Sequence, residues 1–405
     1  MKRFYLIILA VFFVCGLIFV SSARDNNNNE NNSTMRNITT RELILDMGLG
    51  INLGNTFEAT GRNQTENMSR TTCWIAPNIA AHETAWGSVR ITRQIIQGYK
   101  NAGFKSIRIP VAWSNLMDMN TYTINPNLLN RVQEIVDWTL DAGMYAVINL
   151  HWDGGWFYRF PVEFDECMRR YTRIWEQVAD RFKNYSDYLL FESQNEELGW
   201  NILWDQHRSM TSANLTGKTR EYEIVNAINQ KFVDIVRSSG GNNNRRHLLI
   251  AGYNTNIDRT IDPLFKMPND PANRMAIKVH YYDPFGFTHL ERDEPWARAL
   301  WTWGTRAEHN ELNNELNKMK INFIDKGIPV VIGEYGMAKQ GVTQQEITNY
   351  TLAVTQAMFS RGMLPMLWCV QLQPNQLNFY YNRRVPGMTD PNLETGMKAI
   401  AASRR

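Results

Sequence analysis

Two glutamates, Glu196 and Glu334, stand near the ends of apolar runs that are otherwise poor in charge, YLLFESQNE and IPVVIGEYG. Two carboxyls facing each other across a cleft can break a glycosidic bond. One protonates the leaving oxygen while the other attacks the sugar or activates water. Other polar residues sit in or just after comparable runs: Asn55 in GLGINLGN, Arg108 in SIRIPV, Asn149 and His151 in YAVINLH, and Asn195 beside Glu196. His280 and Tyr282 close AIKVHYY, and Trp368 lies in MLPMLWCV. Each buried polar group needs a hydrogen-bond partner, so their recurrence at run ends points to one site. Taken singly, each has a plainer meaning. Arg108 could pair with Glu192 inside the fold, either histidine could be structural, Trp368 could be core, and Asn195 could only satisfy backbone.

FESQNEELGW holds three carboxylates within six positions, Glu192, Glu196 and Glu197. Strand alternation puts Glu192, Gln194 and Glu196 on one face. Of these, only Glu196 is at the run's C-terminal end, so Glu192 is expected to be structural. Glu197 should alternate away from that face and tune the following loop. Competing chemistries lack their residues. No H-x-x-x-H or H-E-x-x-H occurs, so no metal set is expected. No G-x-S-x-G nucleophile turn occurs either. No other cofactor is implied.

The elements that would carry these residues alternate regularly. Eight apolar runs are predicted as strands: 48–55, 106–111, 145–151, 188–196, 247–253, 276–282, 328–336 and 363–370. They are nearly continuous in apolarity, as parallel strands covered on both faces should be. Between them lie amphipathic segments. VRITRQIIQGYKNAGF puts Ile91, Ile95 and Ile96 on one face and ends at Gly103. NPNLLNRVQEIVDWTLDAGM starts near Pro126, turns Leu129, Val132, Val136 and Leu140 inward, and ends at Gly143. Eight such units without a composition break predict a single α/β domain, a (β/α)8 TIM barrel over residues 38–405. A doubly wound sheet is the weaker alternative, since no glycine-rich phosphate loop is present. In a barrel, the strand ends named above would meet at the C-terminal mouth.

The first 23 residues have the form of an export signal: Lys2 and Arg3, an apolar run from Phe4 to Val20, then Ser21-Ser22-Ala23. The run's length also fits an uncleaved anchor. Residues 24–37, RDNNNNENNSTMRN, are too polar to fold and are expected to be a disordered tether. Export would expose glycosylation triplets such as those at Asn37, Asn63, Asn184 and Asn349, and could let Cys73 and Cys167 pair, with free thiols as the plainer alternative. The composition is that of a globular protein, 43% hydrophobic and 20% charged, and the net charge of +3 gives no support for a nucleic-acid partner. Thirteen tryptophans are an excess that suits stacking on ring-shaped ligands. Trp86, Trp113, Trp152, Trp156, Trp200 and Trp204 fall in or next to the expected mouth loops, while Trp138 and Trp175 fall in helices and are expected to be core.

Several stretches, in order, resemble glycoside hydrolase family 5, and within it the subfamily 4 endoglucanases. These are GINLGNTFEA, ETAWGS, AGFKSIRIPVAW, GMYAVINLHWDGGW, LLFESQNE, VHYYDPFGFT and PVVIGEYG, spanning about Asp46 to the C-terminus. The resemblance implies retaining chemistry, with Glu196 as acid/base, Asn195 on the sugar 2-hydroxyl and Glu334 as nucleophile. It also implies supporting roles for Arg108, His151, His280, Tyr282 and Trp368, with Asn55 at a matching polar position. The sequence departs from the family pattern in three places. Glu197 replaces the usual Pro, Trp152-Asp153 replaces His-Glu, and Cys369-Val370-Gln371 replaces Asp-Asn-Gly. Substrate preference is what these changes put in question. The expectation is therefore a secreted, monomeric endo-β-1,4-glucanase acting on β-glucan, with membrane contact only through an uncleaved N-terminus. Xyloglucan, xylan or mannan as substrate, or an inactive polysaccharide-binding homologue, are the alternatives.

Overall fold

A computed structural model describes residues 34–59, 76–198, 217–371 and 379–403. The expected signal segment, most of the tether, Asn63, Cys73, Trp200 and Trp204 lie outside these. The eight expected strands form one closed parallel barrel: β1 (Gly50–Asn52), β2 (Ser106–Ile109), β3 (Tyr145–Asn149), β4 (Leu189–Glu192), β5 (Leu248–Ala251), β6 (Met275–Tyr281), β7 (Val330–Tyr335) and β8 (Leu364–Leu367). Each pairs with its sequence neighbours, and β8 closes on β1 through Gly50–Met366 and Ile51–Leu367. The doubly wound alternative is therefore excluded.

Among the described residues, eight α-helices of seven residues or more flank or plug the barrel. α1 (Thr40–Asp46) precedes β1, and α2 (Arg93–Asn101), α3 (Pro126–Asp141), α4 (Phe164–Phe182), α5 (Gly217–Ser238), α6 (Arg306–Asn322), α7 (Gln344–Ser360) and α8 (Pro391–Ala402) follow in order. Their ends are written in the sequence. Thr39 and Glu42 form a capping box on α1, and Thr305 and Glu308 form another on α6. α3 begins with an Asn125 cap and Pro126 in its first turn. After α2 and α3 the chain turns at Gly103 (φ +99°) and Gly143 (φ +70°), conformations that glycine adopts without strain. The inward face of α3 differs from expectation. Leu128, Val132, Ile135, Val136 and Leu140 are buried with Arg131, which pairs with Glu83, while Leu129 at the edge of that face is only half-buried.

The barrel interior is layered. At its N-terminal end, Tyr145, Val147, Leu190, Leu249, Ala276, Val331, Leu364 and Met366 form a compact cluster closed by Leu43, Ile44 and Met47 of α1. Arg36, within the stretch expected to be a tether, lies against this end, with its Nε 2.7 Å from Asp187. One pleat higher the lining turns polar: Asn52, Arg108, Asn149, Glu192 and Lys278 are all fully buried. Val330 and Ile332 of β7 face the helices instead, in the larger core. Trp175 is core as expected, and Trp113 and Trp156, expected near ligand, are fully buried too. Trp113 donates to the Asn149 carbonyl and Trp156 to Asp153, so both fasten loops from below. Among the described residues, Cys167 and Cys369 are buried free thiols, and no helix is long and apolar enough to cross a membrane.

Candidate active site

Arg108 organises the polar layer. Its Nε and Nη2 each lie 2.7 Å from Glu192 oxygens, and Nη1 reaches Asn52 Oδ1 at 2.9 Å and Glu334 at 2.7 Å. Nη2 also meets Asn195 Oδ1 at 2.9 Å. All five guanidinium N–H groups are therefore used. Glu192 further accepts from Asn149 Nδ2 at 2.9 Å and lies 3.0 Å from Lys278 Nζ. Burial pushes Glu192 up, but Arg108 and Lys278 outweigh it and hold the carboxyl at about 2. The Arg108–Glu192 pair foreseen as the structural alternative is real, and the same guanidinium also reaches Asn195 and Glu334.

Glu196 and Glu334 come together above this base. A carboxylate oxygen of each, with a ring nitrogen of His280, lie within 4.8 Å of one another. Among the described residues this is the only cluster with spacing suited to a metal, and its imidazole Nδ1 is already engaged with Glu196 Oε1 at 2.6 Å. Glu334 accepts from Arg108 on one oxygen and from the Tyr282 hydroxyl, at 3.1 Å, on the other. Burial raises the Glu334 carboxyl, against the pull of Arg108, Lys278 and these two hydrogen bonds. Burial, the Glu334 charge and the Glu196 charge hold Tyr282 well above the ordinary phenol range, so it stays a donor. Burial and the cations Lys278 and Arg108 hold His280 well below the ordinary imidazole value.

β7 delivers Glu334 by breaking its own alternation. Val331 points into the barrel, so strict period 2 would turn Glu334 toward the helices. The register shifts on both sides of this strand: Val279 pairs with Ile332 but His280 with Glu334, and Pro365 with Ile332 but Leu367 with Tyr335. An extra residue at Gly333–Glu334 rotates the glutamate inward, as a β-bulge does beside many active sites.

The remaining expected residues surround the pair. His151 is buried and its ring stacks on Trp368 at 5.9 Å between centroids, with 17° between planes. Among the described residues, His151 Nδ1 has no hydrogen-bond partner. Trp368 is half-buried and lies so close to Gly54 that a Cβ there would come within 2.9 Å of the indole. Asn55 holds a left-handed φ of +56°, and its N–H donates to Glu58. Glu58 also accepts from Thr56 at 2.9 Å, and burial pushes it up to about 7.

Glu197 does not turn away as alternation suggested. Regular strand ends at Glu192, and Leu198 takes φ +59°. Glu197 therefore lines an open pocket together with Asn195, Glu196, Trp152, Phe157, Tyr158 and Leu198. Its carboxylate accepts the Trp152 N–H at 2.7 Å, which ties the rewritten loop after β3 to the loop after β4. Burial, with Asp153 and Glu196 nearby, pushes Glu197 up to about 8. Sequence reasoning passed over Asn52 and Lys278. The signal for Lys278 was available: a lysine inside an apolar strand, two residues from His280 and so on its face.

A closed parallel barrel carrying two facing carboxyls at its C-terminal mouth, one of them held by a buried arginine, has the form of a glycoside hydrolase. The chain belongs to the cellulase family, glycosyl hydrolase family 5, whose model matches residues 65–373. The family is one of retaining enzymes. Endoglucanase A from Paenibacillus barcinonensis is 34% identical over 396 residues, covering 91% of this chain and 90% of the relative. A xyloglucan-specific endo-beta-1,4-glucanase from Bacteroides ovatus is 34% identical over 352 residues, covering 82% of this chain but 65% of that protein. Among solved structures, a GH5-4 broad specificity endoglucanase from an uncultured bovine rumen ciliate superposes with a TM-score of 0.77 at 31% identity. That match covers 90% of this chain and 99% of the other.

Proposed function

We propose that this protein is an endo-β-1,4-glucanase that cleaves internal bonds of β-glucan chains with retention. Glu196 serves as acid/base and Glu334 as nucleophile. The observation that carries the reading is the Glu196–Glu334 pair, with oxygens within 4.8 Å and unequal partners. Two carboxyls this close do not readily ionise together, so in the working state they share one proton. Glu334 accepts from a guanidinium and a phenol, one on each oxygen, so the negative charge is assigned there and the proton to Glu196. Carboxyls separated by about 5 to 5.5 Å fit direct attack on the sugar and leave no room for an intervening water.

Attack by Glu334 on the anomeric carbon forms the glycosyl ester while Glu196 gives its proton to the departing oxygen. Water, deprotonated by Glu196, then releases the sugar. Asn195 supports this scheme: Arg108 occupies its Oδ1, leaving its amide hydrogens for a sugar hydroxyl. Trp368 offers a flat face backed by His151, and Trp152 lines the pocket beside Glu196. Asn55 borders the same mouth.

The similarity to relatives named for β-1,4-glucan and xyloglucan supports a β-glucan substrate. Release of reducing sugar across cellulose, mixed-linkage glucan, xyloglucan, xylan and mannan tests it, with the glucans turned over fastest. Turnover of xylan or mannan alone would overturn the substrate, and no turnover of any would overturn the activity. Export guided by residues 1–23 is part of the proposal. N-terminal sequencing of host-derived protein should begin near Arg24, and an intact Met1 in a membrane fraction would mean an anchor.

A further inference from the structure

Lys278 is a fully buried lysine that the scheme above does not use. We propose that it is a positioning residue for the acid/base: its ammonium fixes His280 as the neutral Nδ1–H tautomer, which in turn fixes the oxygen from which Glu196 delivers its proton. The inference rests on Glu196 being the acid/base and adds what orients it.

The geometry is compact. Lys278 and His280 project from the same face of β6, and Lys278 Nζ lies 3.4 Å from His280 Nε2. Nζ also lies 3.0 Å from Glu192 Oε1, 3.1 Å from the Gln194 carbonyl and 3.4 Å from the Asn195 carbonyl. The last two belong to the residues directly before Glu196, so one ammonium steadies both the backbone leading to the acid and the ring that touches it. Gly333 makes room. A Cβ there would come within 2.7 Å of Lys278 Cδ and 3.1 Å of His280 Nε2.

An ammonium has three donors and no acceptor. A hydrogen on His280 Nε2 would point at those donors, so Nε2 keeps its lone pair and Nδ1 carries the hydrogen. That hydrogen points at Glu196 Oε1, 2.6 Å away, with Glu334 Oε2 at 3.6 Å. A doubly protonated ring is opposed by Lys278, by Arg108 and by its own burial, while Glu196, Glu334 and Glu192 pull the other way. His151, held well below the ordinary imidazole value, adds no charge. With Oε1 receiving the His280 hydrogen, the Glu196 proton resides on Oε2. In the first step that O–H breaks to give its proton to the glycosidic oxygen, as the C–O bond to the leaving group breaks and the bond to Glu334 forms. The new carboxylate keeps its His280 hydrogen bond and takes a proton back from water in the second step.

Two measurements on the full chain test this. In histidine-selective 15N spectra, with His280 assigned from His280→Gln, Nε2 should appear unprotonated and Nδ1 protonated, unchanged from about pH 5 to 8. A hydrogen on Nε2, or conversion to imidazolium in that range, would overturn the proposal without any lysine variant. The second compares Lys278→Met with wild type on phenyl and 2,4-dinitrophenyl β-cellobiosides, since only the phenyl leaving group needs protonation. The variant should lose about tenfold or more kcat/KM on the phenyl substrate relative to the dinitrophenyl one. Its phenyl pH profile should lose its alkaline side first, because a freed His280 draws the proton from Glu196. Equal losses on both substrates would mean a merely structural lysine and would overturn the inference. A wild type inactive on both would instead deny the enzymatic reading itself.

Discussion

Arg108 is the residue through which the site is built, because it joins the structural carboxylate Glu192, the amide of Asn195 and Glu334 in one plane. Lysine cannot reproduce that fork, since it brings a single nitrogen with three donors. Arg108→Lys should leave part of the cluster unpartnered in a fully buried layer. It should cost about 3 kcal/mol or more of stability and lower kcat/KM by about a hundredfold or more through misplacement of Glu334. Urea unfolding and aryl-glycoside kinetics measure the two effects. A near-neutral result in both would show that charge alone suffices. Arg108 was legible in the sequence as a charged residue inside an apolar run, and so was its pairing with Glu192. The inward placement of Glu197 is not legible in strand alternation, because regular strand stops at Glu192.

The elements were legible for a simple reason: continuous apolar strands recur eight times with amphipathic helices between them, and a parallel sheet covered by helices buries both faces of its strands. Hidden from the sequence was the departure from regularity in β7. Periodicity alone would turn Glu334 outward, and the bulge beside Gly333 turns it in. A second hidden feature is loop suspension: Arg383, fully buried, binds Tyr99, the Gly54 and Cys369 carbonyls, Thr56 and Ser88, tying the loops after β1 and β8 together from far along the chain. Gly333→Ala tests the bulge. Its methyl would meet Lys278 and His280 below normal contact distance, so stability should fall by about 1–3 kcal/mol and kcat should fall with it. Calorimetry with kinetics checks both. Full activity in a less stable variant would show that the site tolerates movement of this strand.

For the whole molecule, the buried titratable groups set a pH window for stability. Burial raises Glu58 to about 7, Glu197 and Glu221 to about 8, and Asp283 to about 6. These groups hold protons in the folded state that the unfolded chain has released. The stability they contribute is present below the ordinary carboxyl value and is lost as pH rises toward 8. Burial lowers His82 and His289 to about 4 and His247 to about 3. The unfolded chain protonates these histidines first, so stability is lost as pH falls below the ordinary imidazole value. Between the two regimes the contributions oppose each other. The melting temperature should therefore peak near pH 6 or about a unit to either side and decline both ways. A curve still rising from pH 6 to 9 would contradict these assignments. None of this was readable from composition, since the net charge of +3 gives no sign of which carboxyls are buried.

The central claim, that Glu196 protonates and Glu334 attacks, is tested most directly by azide rescue of alanine variants on 2,4-dinitrophenyl β-cellobioside. Glu196→Ala still forms the ester on Glu334, so azide should restore turnover and yield the β-glycosyl azide. Glu334→Ala should yield the α-azide or none, and Glu197→Ala should turn over without azide. A β-azide from Glu334→Ala, or an inactive Glu197→Ala beside a fully active Glu196→Ala, would contradict the assignment.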